Sequence, residues 1–270
     1  MVNVSPSALV AAPVLTAAVL LAACTGGGSS PPSSSTPTSV TTTVPSTTTT
    51  VAPVTDALRT LSTAVATRDV EALASAETVT RPGSPASDYL KYQSAVLSVI
   101  GDQPPGRVEP AGPGSFRVCD VSGPTTTCRV LSDPGFGPDG LLEDFAIDGI
   151  SVDGRVTSDG PEVATSDVRM QAVAALQTVP AGDLVVVVSA RNLRGTAILV
   201  NAFAAVYRSP TGDRVEVRST AGDDRVDPGG ETRMLVVVPN SPVGGILEVP
   251  GTSAEFDEPF LVRVPVAPSP

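Results

Sequence analysis

Residues 25–55 consist almost entirely of threonine, serine, proline, glycine and valine, and this tract restricts what the chain can fold into. The first charged residue is Asp56, so the whole net charge of −11 lies at or beyond it. A segment with so little surface to bury cannot offset the entropy lost on ordering, so we predict a disordered stalk over residues 24–55. The remaining chain is long enough for two domains of about 100 residues each, which we place at 56–160 and 161–270.

The apolar segment Ala8–Ala23 is shorter than the roughly 20 residues of a transmembrane helix and suits the core of an export signal. It ends in Leu21-Ala22-Ala23-Cys24, which resembles the lipobox of an actinobacterial surface lipoprotein. The resemblance implies a signal peptide over residues 1–23, palmitate or another acyl chain on Cys24, and a location on the extracytoplasmic face of the cell membrane. The leader lacks lysine and arginine before Ala8, so an ordinary cleaved leader and a retained short anchor stay open as alternatives.

Composition excludes several classes of function. The chain has no histidine, which removes Ser-His-Asp and Cys-His catalysis and imidazole metal sites. It has no basic cluster, so the electrostatic footprint of a nucleic-acid-binding protein is missing. We therefore expect a non-enzymatic protein without cofactor or metal, whose partners are the membrane, through the anchor, and another envelope protein or a small ligand.

With Cys24 assigned to lipid, Cys119 and Cys128 remain as an even pair. Each lies four residues from the centre of Ser122-Gly123-Pro124-Thr125. A hairpin turn there makes the two cysteines direct cross-strand partners, close enough for a disulfide. A metal pair or a redox switch is the alternative, but the pair lacks further ligands and Cys-x-x-Cys spacing.

The apolar spacing and turn residues over 56–160 predict a small α+β domain. Apolar spacing predicts three helices, the first capped by Thr55 or Asp56, the second by Asp69, and the third opened by Ser87-Asp88 and ended by Gly101. A proline- and glycine-rich loop is expected at 104–114, followed by strands at 115–121 and 127–131.

Two features stand out in residues 58–156: the paired early helices over 58–77, and the strand entry Pro-Asp-Gly-Leu-Leu-Glu-Asp-Phe at 138–145. Through them this segment resembles the nuclear-transport-factor-two-like superfamily, which has a cystatin-like cone fold and includes ketosteroid isomerase. The resemblance implies a pocket inside the cone. One consequence is a hydrophobic-ligand carrier with an apolar pocket of about 300 Å³ or more. A second is an isomerase or dehydratase that uses Tyr89 and Tyr92 with Asp144 or Asp148, although a tyrosine pair at this spacing more often packs in a core.

Residues 161–270 predict an all-β sandwich, because short apolar strands alternate with turn residues. Turns are expected at Ser209-Pro210-Thr211-Gly212 and Asp227-Pro228-Gly229-Gly230. The expected strands are 168–177, 183–191, 196–208, 214–219, 232–239, 246–249 and 260–266.

The strand that begins Asp-Leu-Val-Val-Val-Val at residue 183 and the turn before Met234-Leu235-Val236 resemble the immunoglobulin-like modules of Gram-positive surface lipoproteins. Those modules act in binding or as spacers, which implies a binding or envelope-interaction role here. The acidic loop with Asp223, Asp224, Asp227 and Glu231 is expected to be solvated. Calcium binding is its alternative, although the loop lacks the ligand spacing of a calcium loop.

Overall fold

Three helices open the described part of the chain: α1 (Ala52–Thr67), α2 (Val70–Ala76) and α3 (Pro85–Ile100). A computed structural model describes residues 52–121, 126–253 and 258–267, with side chains from Asp56 onwards. The predicted signal peptide, Cys24, most of the predicted stalk and the turn at 122–125 lie outside the described residues. Residues 52–55 of the predicted stalk belong to α1, so the helix begins before its predicted cap.

The helix boundaries follow capping chemistry. The Asp69 carboxylate accepts a hydrogen bond from the Ala72 N–H at 2.7 Å, as predicted for the cap of α2. Gly101 ends α3 with a φ of +70°, which also confirms the prediction. The start of α3 is corrected: Ser84 caps the helix, and Pro85 occupies its first turn, where the missing N–H costs nothing.

The helices are followed by a five-stranded antiparallel sheet, the first sheet, in the order β1-β2-β3-β4-β5. The expected loop at 104–114 contains strand β1, which tolerates Pro110 because an edge strand does not need every N–H. Its strands are β1 (Arg107–Gly112), β2 (Ser115–Asp120), β3 (Thr127–Phe136), β4 (Leu142–Ile147) and β5 (Ile150–Ser151).

The predicted disulfide between Cys119 and Cys128 is present in the first sheet. The two residues are paired in the register of β2 and β3, with Cα atoms 4.0 Å apart. The bond therefore joins adjacent strands at the position deduced from the spacing of the cysteines.

Replacing both cysteines with alanine should lower the free energy of unfolding by about 2–3 kcal/mol, because a short loop in the unfolded chain is no longer closed. Urea unfolding of the wild type and of the Cys119→Ala/Cys128→Ala variant measures the difference. Reduced wild type should match the variant. Equal stability of oxidised wild type and variant would contradict the prediction.

The rest of the chain forms a β-sandwich of two antiparallel sheets. The second sheet has the order β13-β15-β9-β8-β6, with β7 on β8, and the third has the order β12-β11-β16-β10-β14, with β17 on β16. The strands are β6 (Val156–Ser158), β7 (Val163–Ala164), β8 (Val168–Gln177), β9 (Leu184–Asn192), β10 (Ile198–Val200), β11 (Val206–Arg208), β12 (Arg214–Glu216), β13 (Ser219–Gly222), β14 (Arg225–Val226), β15 (Glu231–Val238), β16 (Ile246–Ser253) and β17 (Pro259–Pro265).

The predicted strand at 196–208 is interrupted. A 3-10 turn at Ala202–Ala204, capped by the Asn201 side chain, separates β10 from β11. Both predicted turns are confirmed: the Gly212 N–H donates to Ser209, and the Gly230 N–H donates to Asp227, each at 2.9 Å. The Tyr207 hydroxyl donates to the Pro242 carbonyl at 2.6 Å and accepts from the Gly245 N–H at 2.8 Å, which ties β11 to the loop before β16.

The central strands of the second sheet, β8 and β9, are buried on both faces. One face packs on the third sheet, and Val186 and Val188 of β9 lie in this core. The opposite face, with Leu176 and Val187, packs in a second core that also contains the helices and the inward side chains of the first sheet. This double burial explains why residues 185–188 are all valine, since both alternating faces of the strand are apolar.

Candidate functional site

A cavity of about 340 Å³ lies between the C-terminal half of α1, the middle of α3 and the paired strands β2 and β3. Its wall combines apolar and polar side chains, and it is partly open to solvent. The lining residues are Val65, Ala66, Arg68, Tyr89, Gln93, Gly106, Val118, Cys119, Asp120, Thr127, Arg129 and Leu131.

The floor of the cavity is set by Tyr89 on α3. Its ring packs edge-on against Phe145 of β4, with ring centroids 5.2 Å apart. Burial raises the pKa of the Tyr89 phenol to about 12, although the hydrogen bond with Gln93 and the charge of Arg129 partly oppose the shift. At neutral pH the hydroxyl is therefore a neutral group that can donate or accept a hydrogen bond.

The neighbouring Tyr92 has a different environment. It is buried in the same core, and its ring centroid lies 6.4 Å from that of Tyr89, but it does not line the cavity. Burial raises the pKa of its phenol as well. The predicted tyrosine pair therefore divides into one residue at the cavity and one that packs.

Two guanidinium groups border the cavity. Arg68 lies just after α1 with a φ of +55°, and it pairs with Asp120 at 2.7 Å. Arg129 of β3 pairs with Asp148 at 3.3 Å. The Arg68 side chain is 21% exposed and the Arg129 side chain 43% exposed, so both charges meet solvent at the cavity mouth.

The backbone around Gly106 closes one side of the cavity. The Gly106 N–H donates to the Ala66 carbonyl at 2.7 Å, which fastens the chain before β1 to the end of α1. A Cβ at this position would collide with the Cys119 carbonyl, so only glycine allows this close approach. The disulfide braces the same side, because Cys119 lies beside Gly106 and the bond joins β2 and β3, the two strands that line the cavity.

The structure does not bring the predicted carboxylates to the tyrosines. Asp144 accepts a hydrogen bond from the Ser151 hydroxyl at 2.7 Å, and Asp148 is exposed in the turn after β4. Neither lines the cavity. The carboxylate that does is Asp120, which the sequence analysis did not single out.

The other polar residues of the cavity were not identified from the sequence either. For one of them, Arg129, the strand pattern does contain an indication of its position. In β3, Arg129 shares the inward face with Leu131, because residues two apart in a strand point the same way. A charged residue at an inward-facing strand position indicates a cavity or a buried pair. The helix pattern gave no such signal for Arg68 or Gln93.

The acidic loop does not gather its carboxylates around one point. Glu231 accepts a hydrogen bond from the Ser189 hydroxyl, and Asp227 pairs with Arg225. Over residues 52–121, 126–253 and 258–267, no group of three or more carboxylates or thiols is arranged to hold a metal ion. In the same ranges, no helix is both long and apolar enough to cross a bilayer.

The chain shows little similarity to known proteins. No family model matches the chain. No curated protein matches it either. Among solved structures, the GAE domain of yeast GGA1 is similar over 40% of this chain and 99% of that chain, with 13% identity and a TM-score of 0.26.

Proposed function

We propose that the chain is a non-enzymatic, lipid-anchored binding protein on the extracytoplasmic face of the cell membrane. The lipobox-like segment ending at Cys24 and the uncharged tract after it support this location. We further propose that the helices and the first sheet form a nuclear-transport-factor-two-like cone, and that the sandwich is an immunoglobulin-like module. The net charge of −11 disfavours binding to nucleic acid or to anionic lipid.

The cavity at Tyr89 is the main support for a binding role. It favours a protein that carries a small hydrophobic molecule. Its volume of about 340 Å³ falls within the range of small-ligand sites. Val65, Val118 and Leu131 supply an apolar wall for the body of a ligand. The Tyr89 hydroxyl can then fix the orientation of one polar group by a hydrogen bond.

The charges at the mouth indicate the polar end of that ligand. Arg68 and Arg129 present guanidinium groups that already hold Asp120 and Asp148. Guanidinium groups bind carboxylates and phosphates through paired hydrogen bonds. A guanidinium has five N–H donors, more than its contact with one carboxylate uses, so an amphipathic ligand with an apolar body and an acidic end fits the cavity and its mouth.

Binding of 1-anilinonaphthalene-8-sulfonate, an apolar dye with an anionic group, tests the site in the full chain. Val65→Phe should weaken dye binding by about tenfold or more, because the larger side chain occupies the cavity. Tyr89→Phe should weaken it by about two- to tenfold, the equivalent of one hydrogen bond. Fluorescence titration measures both dissociation constants.

Tyr92→Phe is the matched control, since it removes a buried hydroxyl from the same helix without touching the cavity lining. Its dye affinity should equal that of the wild type. Native mass spectrometry of protein extracted from its own membranes should show one bound small molecule that Val65→Phe lacks. Equal dye affinity in all variants, with no co-purified molecule, would refute the carrier proposal.

A further inference from the structure

Strand β13 forms one edge of the second sheet and is exposed along its whole length. Its residues Ser219–Gly222 pair with β15 on one side, and all four are exposed. Among the described residues, no other strand pairs with its free side. Ser-Thr-Ala-Gly carries neither charge nor proline, so β13 lacks the charged side chains and prolines that commonly prevent an edge strand from pairing with another chain.

Other edges in the described structure are protected. Strand β1 contains Pro110, and β17 begins and ends with Pro259 and Pro265. Strand β12 begins and ends with charged residues, and β6 is buried against α3. Among the described edge strands of at least three residues, only β13 and the buried β6 therefore lack both proline and charged residues.

Two hollows lie at the end of β13, next to Gly222. A hollow of about 250 Å³ lies between β13 and the 3-10 turn, where the Phe203 side chain is 65% exposed. A second, of about 440 Å³, lies on the opposite face beside Ser98 and Val99 of α3. The two hollows share Gly222 and Asp223, so alternate side chains of an added strand would find space on both faces.

The groove is acidic where β13 ends. Asp223 and Asp224 are exposed, and over the described ranges neither side chain forms an ion pair. Arg225 pairs with Asp227 at 3.4 Å. Arg233 donates to the neutral Ser98 hydroxyl at 3.1 Å and keeps its charge, but Glu231 lines the same hollow and offsets that charge. The charge left for a partner at this end of the groove is therefore negative.

We propose that the free edge of β13 docks an extended polypeptide segment rich in lysine or arginine, which adds to the second sheet as a further strand. Main-chain hydrogen bonds supply the pairing, and the two hollows accept alternate side chains. The carboxylates of Asp223 and Asp224 select basic residues beside the end of β13. This inference is independent of the cavity at Tyr89, which lies between other elements.

A synthetic peptide of alternating valine and threonine, with two lysines at each end and a fluorescent label, tests the proposal on the full chain. It should bind at least about tenfold more tightly than the same peptide with glutamates at its ends. Methylating alternate backbone nitrogens should abolish binding, because the pairing N–H groups are removed. Hydrogen exchange at residues 219–222 should slow when the lysine peptide is added.

Reversing the acidic end with Asp223→Lys/Asp224→Lys should remove the preference for lysine over glutamate. Glu109→Lys/Asp153→Lys changes the net charge by the same amount at exposed positions of the first sheet region and should keep the preference. Equal binding of the two peptides, or unchanged exchange at 219–222, would overturn the proposal. A dimer in sedimentation with slow exchange at 219–222 before peptide is added would overturn it too, because a second copy would then occupy the edge.

Discussion

Replacing Cys24 with alanine should move the protein completely from the detergent phase of a Triton X-114 separation to the aqueous phase and the medium. In the proposed anchoring, acyl chains on this one residue supply the apolar area that holds the protein on the membrane. The net charge of −11 disfavours electrostatic attachment of the folded part to anionic lipid headgroups. Phase separation followed by immunoblotting measures the shift.

The Cys119→Ala/Cys128→Ala variant is the control for this experiment. It also loses cysteine side chains, and it is expected to be less stable, yet it should stay in the detergent phase. Mass spectrometry of the wild-type amino terminus should show an acylated Cys24. An unacylated start, or a Cys24→Ala protein that still enters the detergent phase, would contradict the anchoring.

Replacing Phe145 with alanine should lower the free energy of unfolding by about 3–5 kcal/mol, the usual cost of removing a large buried ring. Phe145 is fully buried in the core shared by the helices, the first sheet and one face of the second sheet. Its edge contact with Tyr89 adds to the loss, because the truncation leaves a cavity beneath the tyrosine ring. Urea unfolding followed by circular dichroism measures the change.

Phe203→Ala is the matched control, because it makes the same substitution at a side chain that is 65% exposed. Its free energy of unfolding should change by no more than about 0.5 kcal/mol. Similar losses of unfolding free energy in the two variants would show that burial of the ring does not determine the cost of its removal. A small loss at Phe145 would show that the core between the helices and the sheets is loosely packed.

Local chemistry determined the features that the sequence predicted well. Asp69 and Gly101 were identified because a cap needs a side-chain acceptor or a left-handed backbone. The cysteine pair followed from its spacing about one turn. In each case the deciding atoms lie within a few residues of one another, so a short stretch of sequence contains the cause.

Features set by packing between distant segments were not predicted. The proline- and glycine-rich composition of residues 104–114 predicts a loop, and only the position of β1 at the edge of its sheet makes Pro110 compatible with a strand. The cavity depends on Arg68, Gln93 and Arg129, which come from three separate segments of the chain and share no sequence pattern. Whether a polar side chain faces solvent or a cavity depends on the tertiary arrangement, which a single sequence does not reveal.

The second sheet has a consequence for dissecting the molecule. The face of the second sheet opposite to the third sheet, with Ala174, Leu176 and Val187, is shielded from solvent only while the helices cover it. A fragment that begins after residue 160 would expose these side chains to water as a contiguous apolar patch. The amino-terminal half therefore covers this apolar face and protects the sandwich from aggregation.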